Sequence, residues 1–225
     1  MDDPRIRDAL ARSFLARLPR GALDELLGGA MLESVEAGRI TYRPAAEPRA
    51  TLVVSGLLRV YYESSDGRQV TIRYARPGDV LGVAAAAGGP APVHTQALTD
   101  STRLVLHMDT LRSLARHDPE VAWNMVEELS RMVYSLWHEL ADTAFASVPQ
   151  RVARHLIEIA ATQQESGAPL VARVSQQELA DLAGTVREVV ARALKDLRAE
   201  GIVGVTRAGI TVLDASRLAE RAWSS

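Results

Sequence analysis

Apolar side chains recur at steps of three and four through Met125, Leu129, Met132, Leu136, Leu140 and Ala144, a pattern that only a long helix satisfies. Val121, Val133 and Trp137 widen the stripe, and Glu127, Glu128, Arg131, Glu139 and Asp142 occupy much of the remaining surface. About 25 residues at 1.5 Å each make a rod roughly 35–40 Å long. The stripe can pack on its own barrel, on a second copy or on both. A rod this long is hard for one chain to cover, so the spacing favours a dimer seam through Met125, Leu129, Met132, Leu136 and Leu140 over a monomer.

This helix divides two different kinds of chain. Before it, after one or two short helices within Arg5–Leu27, the period falls to two. Leu52-Val53-Val54, Leu57 to Tyr62, Gln69 to Tyr74 and Thr102 to Met108 read as strands, with Asp66-Gly67 as a hairpin turn and Pro77-Gly78-Asp79 as a corner. Strands this short and regular predict a small antiparallel barrel or roll. After it, Ser147-Val148-Pro149 reads as a hinge and Gln150–Thr162 as a helix. Gln163 to Pro169 is a polar loop, followed by two close helices, Ser175–Ala183 and Val186–Arg198, and a hairpin, Gly201–Leu213.

Composition narrows the chemistry. The 225 residues include no cysteine, which excludes disulfides, thiolate metal sites, cysteine-held iron–sulfur clusters and a cysteine nucleophile. A formal charge of −2 argues against a protein that coats nucleic acid, so any DNA contact must be local. Met1 to Arg20 lacks an apolar leader segment, and Val80 to Ala87 is too short to span a bilayer, so a cytoplasmic chain without membrane contact is expected.

The stretch from Val174 to Lys195 carries the most chemistry. Ser175 and Glu178 form a capping box, Leu179 and Leu182 face inward, and Gly184 allows a tight turn. In the helix that follows, Val190, Leu194 and Leu197 share one side, leaving Glu188, Arg192 and Lys195 on the other and Arg187 on the first turn. This is helix-turn-helix spacing, whose second helix offers its amino end to the DNA major groove. Arginine pairs with guanine O6 and N7, and glutamate accepts from cytosine N4. Ser175, Gln176 and Gln177 are placed to hold phosphate, and the Gly204–Gly209 wing to touch the backbone. The plainer alternative is two packed amphipathic helices with a Glu188–Arg192 ion pair at i, i+4.

With these motifs in order, the chain resembles the superfamily typified by the cyclic AMP receptor protein and the fumarate–nitrate reduction regulator. The resemblance rests on Val54 to Tyr61, Asp66-Gly67-Arg68, Arg76 to Gly82, the long helix after Pro119, and the helix-turn-helix. It implies an α+β chain with an N-terminal antiparallel β-roll (1–118), a long dimerisation helix (119–146) and a C-terminal winged helix-turn-helix (147–225). It also implies a homodimer on double-stranded DNA and a contact with RNA polymerase through Thr162 to Pro169. Arg187, Glu188 and Arg192 match the residues with which that group reads TGTGA arms. Val186 replaces the group's serine and Val189 its threonine, so Val189 loses a phosphate bond but keeps a thymine contact. Lys195 matches a basic phosphate contact.

The resemblance weakens at the effector site. Cyclic nucleotide binders carry a Gly-Glu pair and a later Arg-Ser pair. Here Gly82 is followed by Val83, the second pair falls near Ala91-Pro92, and Gly88 to Thr95 holds no cation. Leu136 and Trp137 occupy the positions that contact adenine. A desolvated phosphate needs a cationic partner, so neither cyclic AMP nor cyclic GMP is expected. No cofactor is predicted. Three readings of the pocket stand: closed by Leu136 and Trp137, occupied by an apolar or weakly acidic ligand, or holding haem through His94, His107, His117 or His138. Haem is disfavoured because none of these histidines has ligand spacing. A cupin-like metalloenzyme is the remote alternative, but it needs clustered histidines and carboxylates, so no catalytic residue is assigned.

Overall fold

A computed structural model describes residues 3–65, 67, 69–206 and 209–223, with the side chains of 138–145 outside the description. The chain forms two compact units, residues 1–36 with 40–135 and residues 37–39 with 136–225.

The first unit opens with helix α1 (Pro4–Arg12), a 3₁₀ turn (Phe14–Arg17) and helix α2 (Arg20–Gly28). Pro19 stands at the start of α2, where its fixed φ breaks the preceding run without costing a helical hydrogen bond. Strands β1 (Met31–Val35), β3 (Ala50–Ser55), β6 (Val80–Leu81) and β8 (Ser101–Leu106) form one antiparallel sheet in the order β1-β8-β3-β6. Strands β2 (Ile40–Tyr42), β4 (Leu58–Glu63), β5 (Gln69–Ala75) and β7 (His94–Ala97) form a second, ordered β2-β7-β4-β5. Register places Leu58 between Ala75 and Ala97.

Period-two alternation sorts the core. Val35 and Val53 of the first sheet meet Leu58, Ala75 and Ala97 of the second, so the two sheets face each other. Leu52, Val54, Leu104 and Leu106 point the other way, against Ile6, Phe14, Leu15 and Leu26 of the N-terminal helical segment and against Leu111. Leu111 belongs to helix α4 (Met108–His117), which sequence pattern missed: Met108, expected in a strand, starts it. A short helix α3 (Val83–Gly88) follows β6. Arg59 lies buried within β4, bonding Thr71 and Gln69 and resting over Tyr61, whose ring stacks on His94. Of the hairpin turn, Asp66 and Arg68 lie outside the described residues.

Helix α5 (Pro119–Phe145) is the predicted rod, at 27 residues. No described helix is long and apolar enough to cross a membrane.

The second unit is built on helix α6 (Val148–Thr162), whose Val152, Leu156, Ile157 and Ala160 are buried. Ser147 to Pro149, expected as a hinge, form the cap and first turn of α6, so the helix starts two residues before the predicted Gln150, with Ser147 and Gln150 in a capping box. Strand β9 (Val171–Ala172), helix α7 (Gln176–Leu182), helix α8 (Arg187–Ala199), strands β10 (Val203–Thr206) and β11 (Gly209–Val212), and helix α9 (Ala215–Trp223) follow. The three strands pair in the order β10-β11-β9. Helix α9 lies on α6 through Leu218, Ala219 and Ala222, with Arg154 over the Trp223 ring.

Candidate nucleic-acid interface

Helix α7 begins with a complete capping box. The Glu178 amide donates to Ser175 Oγ at 3.1 Å, and the Ser175 amide donates to Glu178 Oε2 at 2.8 Å. Those bonds hold the Glu178 carboxyl below the ordinary glutamate range. Leu179 and Ala180 are buried. Leu182 is not: it stands 54% exposed, contrary to the inward orientation read from the sequence. On a helix of seven residues, Leu179, Ala180 and Ala183 already cover the inner face, and Leu182 falls beside it.

The turn to α8 closes through the Thr185 amide donating to the Ala180 carbonyl at 2.9 Å, with Gly184 at φ +59°. That left-handed value explains the glycine. From α6, Arg151 reaches the turn and donates to the Ala183 carbonyl at 2.9 Å, while also bonding the Ala146 carbonyl at 2.7 Å. His155, one turn further along α6, has its proton affinity lowered by burial and then by Arg154, with the Leu182 backbone pulling the other way and Arg151 adding to the drop.

Helix α8 buries Val190, Ala193, Leu194 and Leu197. Arg187, Glu188, Arg192 and Lys195 are exposed, Val189 is half-buried, and Gln176 and Gln177 lie at the start of α7. The 3.6-residue period alone sends the four charged groups to the face opposite the core. Among the described residues these four side chains form no hydrogen bond or ion pair, so the Glu188–Arg192 pair of the plainer reading is absent. Gln177 donates to Asp181 at 2.9 Å, and Ser175 Oγ already accepts its cap bond. Strands β10 and β11 pair with Thr206 opposite Gly209; residues 207 and 208 of the wing lie outside the described residues.

Two residues of the predicted seam on α5, Met125 and Leu129, pack within their own unit. Met125 is only 6% exposed, buried with Val121 in its own unit's core, and Leu129 packs against that core. Asn124 is buried too, bonding Arg17. Met132 is half-buried, Leu136 exposed, and Leu140 has its side chain outside the description. On the opposite face stand Trp123 at 63% exposure, Val126, Val133 and Trp137, also at 63%. With Ser130 these occupy steps of three, four, three and four, the heptad spacing of a coiled-coil seam. A helix with two apolar faces satisfies both patterns, and only the packing of the N-terminal helices decides which face stays free.

Of the five predicted effector residues, Val83 is buried in the core beneath the helices, Pro92 is exposed, and Leu136 and Trp137 are exposed. Gly82 sits at φ +88°, where a side chain would collide with the Arg49 carbonyl oxygen, so the backbone requires a glycine there. A cavity of about 300 Å³ opens between Met31, Arg49, His107, Met108 and Arg112, and none of the five residues lines it. Of the histidines, His94 is stacked on Tyr61, His117 bonds the Ser113 carbonyl, and His138 lies outside the described side chains. Among the described residues, no three histidine or carboxylate groups gather as metal ligands would.

Two family models match the chain: a cyclic nucleotide-binding domain over residues 32–118 and a Crp-like helix-turn-helix domain over residues 150–221. The CRP-like cAMP-activated global transcriptional regulator of Mycobacterium tuberculosis is 30% identical over 178 residues, spanning 77% of this chain and 80% of that protein. The transcriptional regulator LdrP of Thermus thermophilus is 31% identical over 179 residues, 76% of this chain and 85% of its own. In three dimensions, FixK2 from Bradyrhizobium japonicum superposes with a TM-score of 0.54 at 24% identity, covering 87% of this chain and 98% of that one.

Proposed function

Because this chain belongs to the CRP/FNR superfamily of DNA-binding transcription regulators, we propose that it works as a homodimer reading a palindrome with TGTGA-like arms. The observation that carries the reading is the state of α8: Arg187, Glu188, Arg192 and Lys195 are exposed and free of intramolecular partners, opposite a buried Val190, Leu194 and Leu197. Arg187 and Arg192 take guanine O6 and N7, and Glu188 takes cytosine N4. Lys195 and the amino end of α7, from Ser175 to Gln177, hold phosphate, with Val189 against a thymine methyl. Two copies place their α8 helices about 34 Å apart, one turn of the duplex.

The seam between copies is the heptad row Trp123, Val126, Ser130, Val133 and Trp137, continued by Leu140 and Ala144, rather than the row through Met125. Its two tryptophans leave large apolar surface in water unless a partner helix covers them.

Cyclic AMP is not the effector in this reading. Val83 is an apolar core residue where the cyclic nucleotide binders carry glutamate, and Gly88 to Thr95 contains no cation. The regulator acts without an effector or answers a different small ligand, carries no catalytic step, works in the cytoplasm, and meets RNA polymerase through Thr162 to Pro169. The test is binding of the purified, ligand-free protein to a palindrome with TGTGA arms and to one with scrambled arms. Preference for the former, unchanged by added cyclic AMP, supports the reading, and equal affinity for the two defeats it.

A further inference from the structure

Three helices of the second unit begin in different ways. Helices α6 and α7 start with full capping boxes, Ser147 with Gln150 and Ser175 with Glu178. Helix α8, which carries the base-reading groups, starts at Val186 with no side-chain cap bond. Valine is among the poorest residues at such a position, so α8 gives up a stabilising bond that its neighbours keep.

Burial does not compensate the loss. Val186 stands 58% exposed, whereas Val190, four residues on, is fully buried. Val186 adjoins Arg187 and Glu188 on the terminal turn, both exposed and unpartnered. Its backbone is extended, at φ −107° and ψ 155°, a conformation that suits a β-branched side chain and restricts its rotamers. The terminal turn therefore offers a stiff pair of methyl groups beside two polar readers.

The major groove carries one apolar mark, the C5 methyl of thymine. We infer that Val186 is a specificity-determining residue, packing on a thymine methyl in each arm of the operator. This inference rests on the DNA-reading role proposed for α8. A serine at the same place would cap the helix and reach phosphate but would be blind to the methyl group, so the chain exchanges helix stability for thymine selection.

The test replaces each thymine of a bound palindrome, one symmetric pair at a time, by deoxyuridine, which removes the methyl and nothing else. At the pair facing Val186, which is distinct from any pair facing Val189, wild type loses about fourfold in affinity per arm, about sixteenfold for both arms together. Val186→Ser abolishes that difference, while Val186→Thr, which retains a methyl, preserves it. Both variants melt at higher temperature than wild type because the cap is restored. Equal binding of wild type to every deoxyuridine operator overturns the inference, as does a Val186→Ser protein whose discrimination between thymine and deoxyuridine is unchanged from wild type at every pair. If the unmodified palindrome is not bound at all, the DNA-reading proposal itself falls, a result distinct from either.

Discussion

Arg187 and Lys195 are both exposed on α8 but have different duties in the proposed complex, and their substitutions separate base reading from backbone attraction. Arg187→Ala is expected to weaken specific binding by about 1–3 kcal/mol and to relax the preference for its guanine, read by binding to operators changed at that base. Lys195→Ala should instead weaken binding to all sequences alike and reduce the slope of log affinity against log salt by about one per contact. His155 gives the second unit a pH dependence. Burial, with Arg154 and Arg151 nearby, lowers its proton affinity, so the unfolded chain binds the proton more readily than the folded one. Stability is therefore full above the ordinary histidine value of 6.5 and declines as pH falls through the lowered folded value. Thermal melts across that range should show the decline, and His155→Gln should flatten it. The charged face of α8 was readable in sequence because a 13-residue helix fixes its own periodicity. Leu182 was not, since at the end of a seven-residue helix one position decides between core and solvent.

At the scale of elements, α5 has two apolar faces with different work. Met125→Ala should destabilise the first unit by about 2–5 kcal/mol, measured by denaturant unfolding, and leave assembly unchanged. Val133→Glu and Trp137→Glu should do the reverse, giving folded monomers in sedimentation. A protein that stays dimeric with both glutamates present would refute the heptad seam. Sequence spacing established that a long helix exists, because an apolar row of such length has no other solution. It did not show which row is free, since that depends on Asn124 and Met125 being claimed by the N-terminal helical segment and α4. Helices α4 and α9 were missed for the same reason: each is short, and its apolar residues acquire a direction only from the sheet or helix beneath. The capping box of α7 was legible outright, being a local chemical pattern. Ser175→Ala should cost about 0.5–2 kcal/mol of stability in the second unit.

Over the whole molecule, charge is nearly balanced. The sequence carries 26 basic and 28 acidic residues, and the segment from Gln150 onward is barely basic, so affinity for DNA cannot come from a diffuse positive surface. In the proposed dimer it comes from a few placed groups counted twice by symmetry, so the proposal makes dimerisation a condition of recognition rather than an accessory to it. The architecture was legible because its strands, rod and paired helices each announce themselves by period. The surroundings of the predicted effector residues were not, because residue identity alone does not reveal that Val83 lies in a core and that Leu136 and Trp137 are exposed. The central claim, that this dimer reads TGTGA-like arms through α8 without a cyclic nucleotide, is tested most directly by selecting DNA from a random pool with the purified protein and no added ligand. Enrichment of a palindrome whose TGTGA-like arms are centred one helical turn apart is the predicted result. A pool left unenriched until cyclic AMP is supplied, or enriched for an unrelated motif, would contradict it.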